Sequence, residues 1–216
     1  MFGWKTKNNT RPLRMMEMSG AYDGGLETAT HGLMAGTRVA TSMGWRQVDA
    51  IAAGDMVLTF DNGMQRVSEV RRSTLWIDAV QVPTHMWQVH IPAGALGNYN
   101  AMTVLPEQGI LIESDAAMDQ YGDPFAVIPA AALDGVRGIT RQAPRQAIEI
   151  ITLFFDADQV IYAEGNLLTH CPARRVSLTD MLNEAPSAYD VLNLRDATFL
   201  AECVIVEDHF SAQACA

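Results

Sequence analysis

The chain lacks any apolar run long enough to cross a bilayer. Its longest runs, such as Ile151 to Phe155 broken only by Thr152, are strand length, against the roughly 20 residues a spanning helix needs. A transmembrane helix is therefore excluded, and no membrane partner is expected. Cysteine is scarce: Cys171, Cys203 and Cys215 are widely spaced and odd in number, which fits neither a disulfide framework nor a structural zinc site. Reduced, mostly buried thiols are expected, and no motif calls for a cofactor or a metal. No apolar segment follows the early basic residues Lys5, Lys7, Arg11 and Arg14, so a cleavable signal peptide is not expected. The expectation is a cytoplasmic protein, with secretion by a route that needs no signal peptide left open. Basic charge is also short. The net charge is −10, and because the first sixteen residues hold four basic and no acidic side chains, the rest carries −14. That excludes a nucleic-acid footprint over the main body, and the basic arm reads as a solvated tail.

What the 216 residues do contain is a 49% hydrophobic complement, enough for a substantial core. Residues 1–27 show no periodicity and end in the turn-rich YDGGLE, so they read as a flexible arm. A domain is expected over 28–172, with 173–216 as a C-terminal extension packing on or following it.

Short strand-like stretches recur: Arg38 to Thr41, Arg46 to Val48, Met56 to Phe60, Gln65 to Arg71, Val80 to Val82, Trp87 to Ile91, Ile110 to Ile112, Ala147 to Phe155, Gln159 to Ala163 and Cys203 to Val206. An all-β fold with a few short helices follows. Helices are expected at Asp49 to Ala53, Pro129 to Leu133 and Ser177 to Leu182. Two hairpins are expected, one turning at Asp61-Asn62-Gly63 and one at Asp156-Ala157-Asp158. VDAIAAGD and IPAAALDG echo each other and would suit an internally symmetric fold.

Candidate chemistry is thin. Asp115, Asp119, Asp123, Glu107 and Glu113 cluster loosely, without the spacing of a calcium loop, and read as a solvated polar loop. His170-Cys171 is the one adjacent His and Cys pair, but neighbours on a strand point to opposite faces. Trp76, Trp87 and Tyr99, with Met86 and Met102, could line a surface or fill a core.

Several motifs in order carry a resemblance: GTRVAT at 36–41, GWRQV at 44–48, A-x-G-D-x-V-L-T ending at Thr59, DNGMQ at 61–65, AGALGN at 93–98, LPEQGILI at 105–112, DPFAVIPAAAL at 123–133 and LFFDADQVIYAEG at 153–165. Over about residues 30–170 the chain resembles the Hint domain, the module shared by hedgehog autoprocessing domains and inteins, and most resembles stand-alone bacterial members. The resemblance implies a compact, horseshoe-like all-β fold with pseudo-two-fold symmetry.

It also implies a self-cleaving chemistry in which a leading Cys or Ser attacks the preceding carbonyl, helped by a His in a T/S-x-x-H motif. Aligned through Gly36 and Thr37, the nucleophile position is Gly32, and Gln108 stands at the His position. The late D-x-H motif of related proteins corresponds to Asp156-Ala157-Asp158, and the intein ending His-Asn has no counterpart.

The degenerate site thus comprises Gly32 and Gln108, which should lie close together. Thr30, His31 and Thr37, with Thr28, are the groups that could rescue chemistry. The first expectation is a catalytically silent Hint-like domain acting as a binding or structural module, with a protein partner or larger assembly and an open oligomeric state. The alternative is a residual self-cleaving protease acting near residues 29–32, and a hydrolase built on His170 and Cys171 stands last. Restoring Gly32→Cys together with Gln108→His should, on sequence alone, restore thiol-dependent cleavage after His31.

Overall fold

The computed structural model describes residues 31–75, 82–173 and 189–214. Within them the chain is a two-sheet antiparallel β-protein with two α-helices. The expected arm at 1–27, Thr28, Thr30, Trp76, Val80 and the helix at Ser177 to Leu182 lie outside the described residues.

The first sheet holds six strands. β1 (Leu33–Met34) sits between β8 (Met102–Val104) and β12 (Ile148–Phe154), with β6 (Glu69–Leu75) beyond β12, and β7 (Gln88–Ile91) and β11 (Thr140–Gln142) beyond β8. The second sheet runs β10 (Phe125–Pro129), β9 (Gly109–Glu113), β14 (Leu167–Cys171), β13 (Gln159–Ala163), β2 (Arg38–Thr41), β4 (Met56–Thr59) and β5 (Gly63–Arg66), with β3 (Gly44–Gln47) paired to β2. Most central strands bury β-branched residues: Val39, Val57, Val89, Val104, Ile110, Ile128, Ile151, Val160 and Ile161 are all under 4% exposed. β4, β7 and β8 bury alternate residues, one face each, whereas β9 and β13 are buried along most of their length.

The hairpin at Asp61-Asn62-Gly63 is present: β4 and β5 pair from Met56↔Arg66 to Thr59↔Gly63. Only Gly63 takes a positive φ, +63°. The two sequence echoes become two 3₁₀ turns, Val48–Ala50 and Ala130–Leu133, closing on Gly54 and Gly135 at φ +99° and +92°. Each is shorter than the helix expected there.

Three expectations are corrected. β12 and β13 do not form a hairpin across Asp156-Ala157-Asp158. β12 pairs with β6 over seven registered positions and with β1 on its other edge, while β13 pairs with β14, β2 and β4 in the other sheet. Both strands thus have their hydrogen-bonding edges occupied elsewhere, and the connection carries no positive-φ residue to fold it back. It is the point where the chain changes sheets.

Cys203 to Val206 is not a strand but part of α2 (Leu194–Ala214). Asn193 Oδ1 accepts from the backbone N–H groups of Arg195 and Asp196, both at 3.1 Å, and so starts the helix. Ala197, Leu200, Ala201 and Val204 then recur at three- and four-residue spacing and are buried. That periodicity outweighs the strand propensity of Val204, Ile205 and Val206.

The acidic stretch is likewise not a loop. Ser114 accepts from the Ala116 N–H at 3.1 Å, starting α1 (Asp115–Tyr121), which ends on Gly122 at φ +75°. Helix α2 is pinned to this corner of the domain. Glu207 accepts from Ser114 Oγ at 2.8 Å and from Ala116 N–H at 3.0 Å, and Arg137 grips Asp208 through two nitrogens, at 2.6 and 2.7 Å.

No helix among the described residues is long and apolar enough to cross a membrane.

Candidate functional site

The start and the end of the strand-rich region meet. β1 enters the first sheet beside β12, with Leu33 opposite both Ile151 and Val104, and β14 leaves the second sheet at Cys171. Between them lies a cavity of about 10 Å³ lined by His31, Gly32, Gln108, Thr152, His170 and Cys171, with apolar neighbours. That is room for about one water.

Gly32 is held without a side chain. Its φ is +133°, a region few L-residues adopt. A Cβ there would stand 2.6 Å from Ile150 Cγ2, 2.8 Å from Thr152 Oγ1 and 3.1 Å from the Ile151 carbonyl oxygen. The space a nucleophile would need is therefore filled by β12.

Gln108, only 2% exposed, closes the other side. The turn from Leu105 positions it, with the Gln108 N–H donating to Leu105 O at 3.1 Å and the Gln108 carbonyl accepting from Ala130 N–H at 2.8 Å. Its side-chain Oε1 accepts from the Gly32 N–H at 2.8 Å, and its Nε2 donates to the carbonyls of His170 at 2.8 Å and Gly109 at 3.1 Å. One amide thus ties the first residues of the domain to the last strand. Thr152 Oγ1 donates to the His31 carbonyl at 3.2 Å. The His31-Gly32 peptide is consequently gripped at its C=O by Thr152 and at its N–H by Gln108.

Chemically this arrangement binds a peptide and gives it little reason to break. An acceptor on the amide N–H favours the planar amide, whereas cleavage needs a proton delivered to that nitrogen, which a glutamine cannot supply. Burial, opposed in part by the charge of Asp158, lowers the pKa of His170, and the nearby His31 lowers it further. The shift favours the neutral imidazole, and its Nε2 is buried and without a hydrogen-bond partner among the described residues.

Cys171 is buried and its pKa is pushed up to about 12 by desolvation, so it is a packed thiol and not a nucleophile. It should resist alkylation at pH 8 in the native protein and react once unfolded, whereas the partly exposed Cys203 labels in both states in dilute protein. Peptide mapping after iodoacetamide reads this directly. Above about pH 8.5 the unfolded chain ionises this thiol and the folded chain keeps it protonated, so stability falls as pH rises from there.

Of the residues read from sequence, Gly32, His31 and Gln108 come together. Thr37 is buried in the turn before β2 and does not line the cavity. His170 and Cys171 border the cavity but form no dyad, since burial alternates along β14. The acidic residues of α1 and its flanks form no metal-binding group among the described residues. Of the aromatic and methionine set, Tyr99 is 70% exposed and Met102 is core. Thr152 was missed as a site residue, although a lone hydroxyl inside the apolar run from Ile151 to Phe155 was its signal.

A family model described as the Hint domain matches residues 31–169. Solved structures similar to this chain include a GSH-linked, splice-inactive variant of the AceL NrdHF class 3 split intein, with 14% identity over 67% of this chain and 99% of that one, at a TM-score of 0.44. A bacterial intein-like domain from Clostridium thermocellum shares 14% identity over 65% of this chain and 98% of that one, at a TM-score of 0.45. The gp41-1 intein shares 17% identity over 64% and 97%, at 0.40. No curated protein matches the sequence. The family model, matching more than half of the chain, defines the class as a Hint domain, and the two antiparallel sheets agree with it. The chain belongs to the Hint domain family.

Proposed function

We propose that this Hint domain no longer processes itself and serves as a binding or structural module, a stable junction that brings its two chain ends together. The observation that carries the reading is the Gly32-Gln108 contact. A residue without a side chain occupies the nucleophile position in a backbone conformation that disfavours any other residue, and the partner position holds an amide whose bonds all go to backbone groups. Chemistry and packing agree, because β12 occupies the volume that an attacking thiol would fill. The module reading extends to the division at residues 28 and 172, with α2 as the extension's contact with the domain.

A second reading is favoured by His170 and Thr152. An imidazole whose Nε2 has no hydrogen-bond partner among the described residues, and whose burial favours the neutral form, borders a one-water cavity beside a carbonyl that already accepts from Thr152. Slow hydrolysis would add water across the His31-Gly32 amide, giving a new carboxylate on His31 and a new amine on Gly32.

Intact mass of freshly purified protein over several days, with and without dithiothreitol or hydroxylamine, separates the readings. The expected result is a single unchanged mass in every tube. A fragment beginning at residue 32 that accumulates without added nucleophile supports His170-assisted hydrolysis, and one that needs thiol or hydroxylamine reports direct attack of the added nucleophile on an activated His31 carbonyl, with Gly32 leaving as the amine, since Gly32 has no side chain to take the acyl group. Either refutes the silent module.

A further inference from the structure

Helix α2 is apolar on two opposite faces. The face carrying Ala197, Leu200, Ala201 and Val204 is buried on the domain. On the other, Phe199, Val206 and Phe210 are 54%, 51% and 68% exposed, with the half-buried Cys203 among them. At about 100° per residue, positions 199, 203, 206 and 210 fall within about 60° of one another. Their 4-3-4 spacing is the a/d repeat of a two-stranded helical seam. A surface helix needs one apolar stripe to dock on its own domain, and scattered exposed apolar residues would need no explanation. A continuous second line containing two phenylalanines does.

We propose that this stripe joins two copies of the chain, with α2 lying antiparallel to α2 of the second copy about a two-fold axis near residues 204–205. The stripe is self-complementary in that arrangement, as a two-fold contact must be. Phe199 meets Phe210 of the second copy, and Cys203 meets Val206. Charge chooses the direction. Glu202 and His209 both flank the stripe on the same side, each one residue before an a position, and antiparallel pairing sets Glu202 against His209 of the second copy, twice. A parallel pair would instead bring Glu202 toward Glu207 of the other copy, a like-charge contact between carboxylates of which Glu207 is already committed to Ser114 and Ala116. The ties that fix the inner face, through Glu207 and the Arg137-Asp208 pair, hold the outer stripe in a defined orientation before any partner arrives. The contact is independent of what happens at Gly32, and its failure would leave the junction reading untouched.

The test is sedimentation velocity of the full chain under reducing conditions. A single helix pair should associate with a Kd on the order of 10 µM, so sedimentation is followed from well below to well above that concentration. Phe199→Glu with Phe210→Glu should weaken association by at least about 30-fold, the scale of losing an interface hot spot. Glu202→Lys alone should weaken it, and adding His209→Glu should restore it, which a general loss of fold cannot mimic. Melting curves at low concentration check that each variant is folded. A chain that stays monomeric throughout, association indifferent to the phenylalanine changes, or a charge swap that does not restore it would each overturn the proposal. In the first case the stripe faces either solvent or another part of the same chain.

Discussion

Gly32→Cys should destabilise the protein by roughly 2–6 kcal/mol and produce no thiol-dependent fragment. Two costs combine. A non-glycine residue at φ +133° stores about 1–3 kcal/mol of backbone strain. A Cβ 2.6 Å from Ile150 Cγ2 and 2.8 Å from Thr152 Oγ1 adds overpacking of about 1–3 kcal/mol. For a chain of this size the melting temperature should fall by roughly 5–15 °C.

The paired change Gly32→Cys with Gln108→His, which sequence alone expects to restore cleavage, should therefore fail. The thiol would arrive in a space that β12 occupies, and a neutral histidine, with one donor and one acceptor, cannot make the three bonds that Gln108 makes. Ile150→Ala should recover part of the lost stability of Gly32→Cys, with a coupling of about 1–2 kcal/mol between the two positions. Differential scanning fluorimetry with intact mass reads both halves. A Gly32→Cys variant as stable as the parent would show that the junction is not packed around glycine.

Gln108→Leu should cost about 3–5 kcal/mol, a large effect for a single side chain that carries no charge. Leucine fills similar volume but leaves the Gly32 N–H and the His170 carbonyl without the partners that Gln108 supplies, and each buried unpaired group costs about 1–3 kcal/mol. Gln108→Glu should do nearly as badly, because a carboxylate keeps the acceptor for Gly32, loses both donors and buries a charge. Chemical denaturation gives the free energies. If Gln108→Leu melts like the parent, the three bonds contribute nothing net, and the junction is held by the strands alone.

The parts of the fold that were legible in the sequence were the local ones. The β4–β5 hairpin is written in Asn62-Gly63, where turn chemistry and strand pattern adjoin, and β13 spans the β-rich stretch from Gln159 to Ala163. The partner of a strand is not local. Nothing in Asp156-Ala157-Asp158 tells that β12 belongs to one sheet and β13 to the other, because that is decided by β1, β6 and β14, which lie far away in sequence. Cys203 to Val206 misled because four residues of strand propensity were read apart from the helical spacing of Ala197, Leu200, Ala201 and Val204 around them. At the junction, the motif order placed Gly32 beside Gln108, yet no residue pattern reveals that a glycine sits at φ +133° against Ile150, or that one glutamine serves three backbone groups. Thr152 went unread because its role depends on the register that sets β12 beside β1.

The exchange rate of the Gly32 amide proton tests most directly whether the His31-Gly32 peptide is held as structure. Measured by NMR under native conditions, Gly32 N–H should exchange orders of magnitude more slowly than an exposed glycine, because its acceptor is the buried Oε1 of Gln108. In Gln108→Leu the protection at Gly32 should collapse by more than the loss of global stability explains, while protected amides in β9 and β13 follow global stability alone. Exchange of Gly32 at the rate of an unprotected amide in the parent protein would contradict the account.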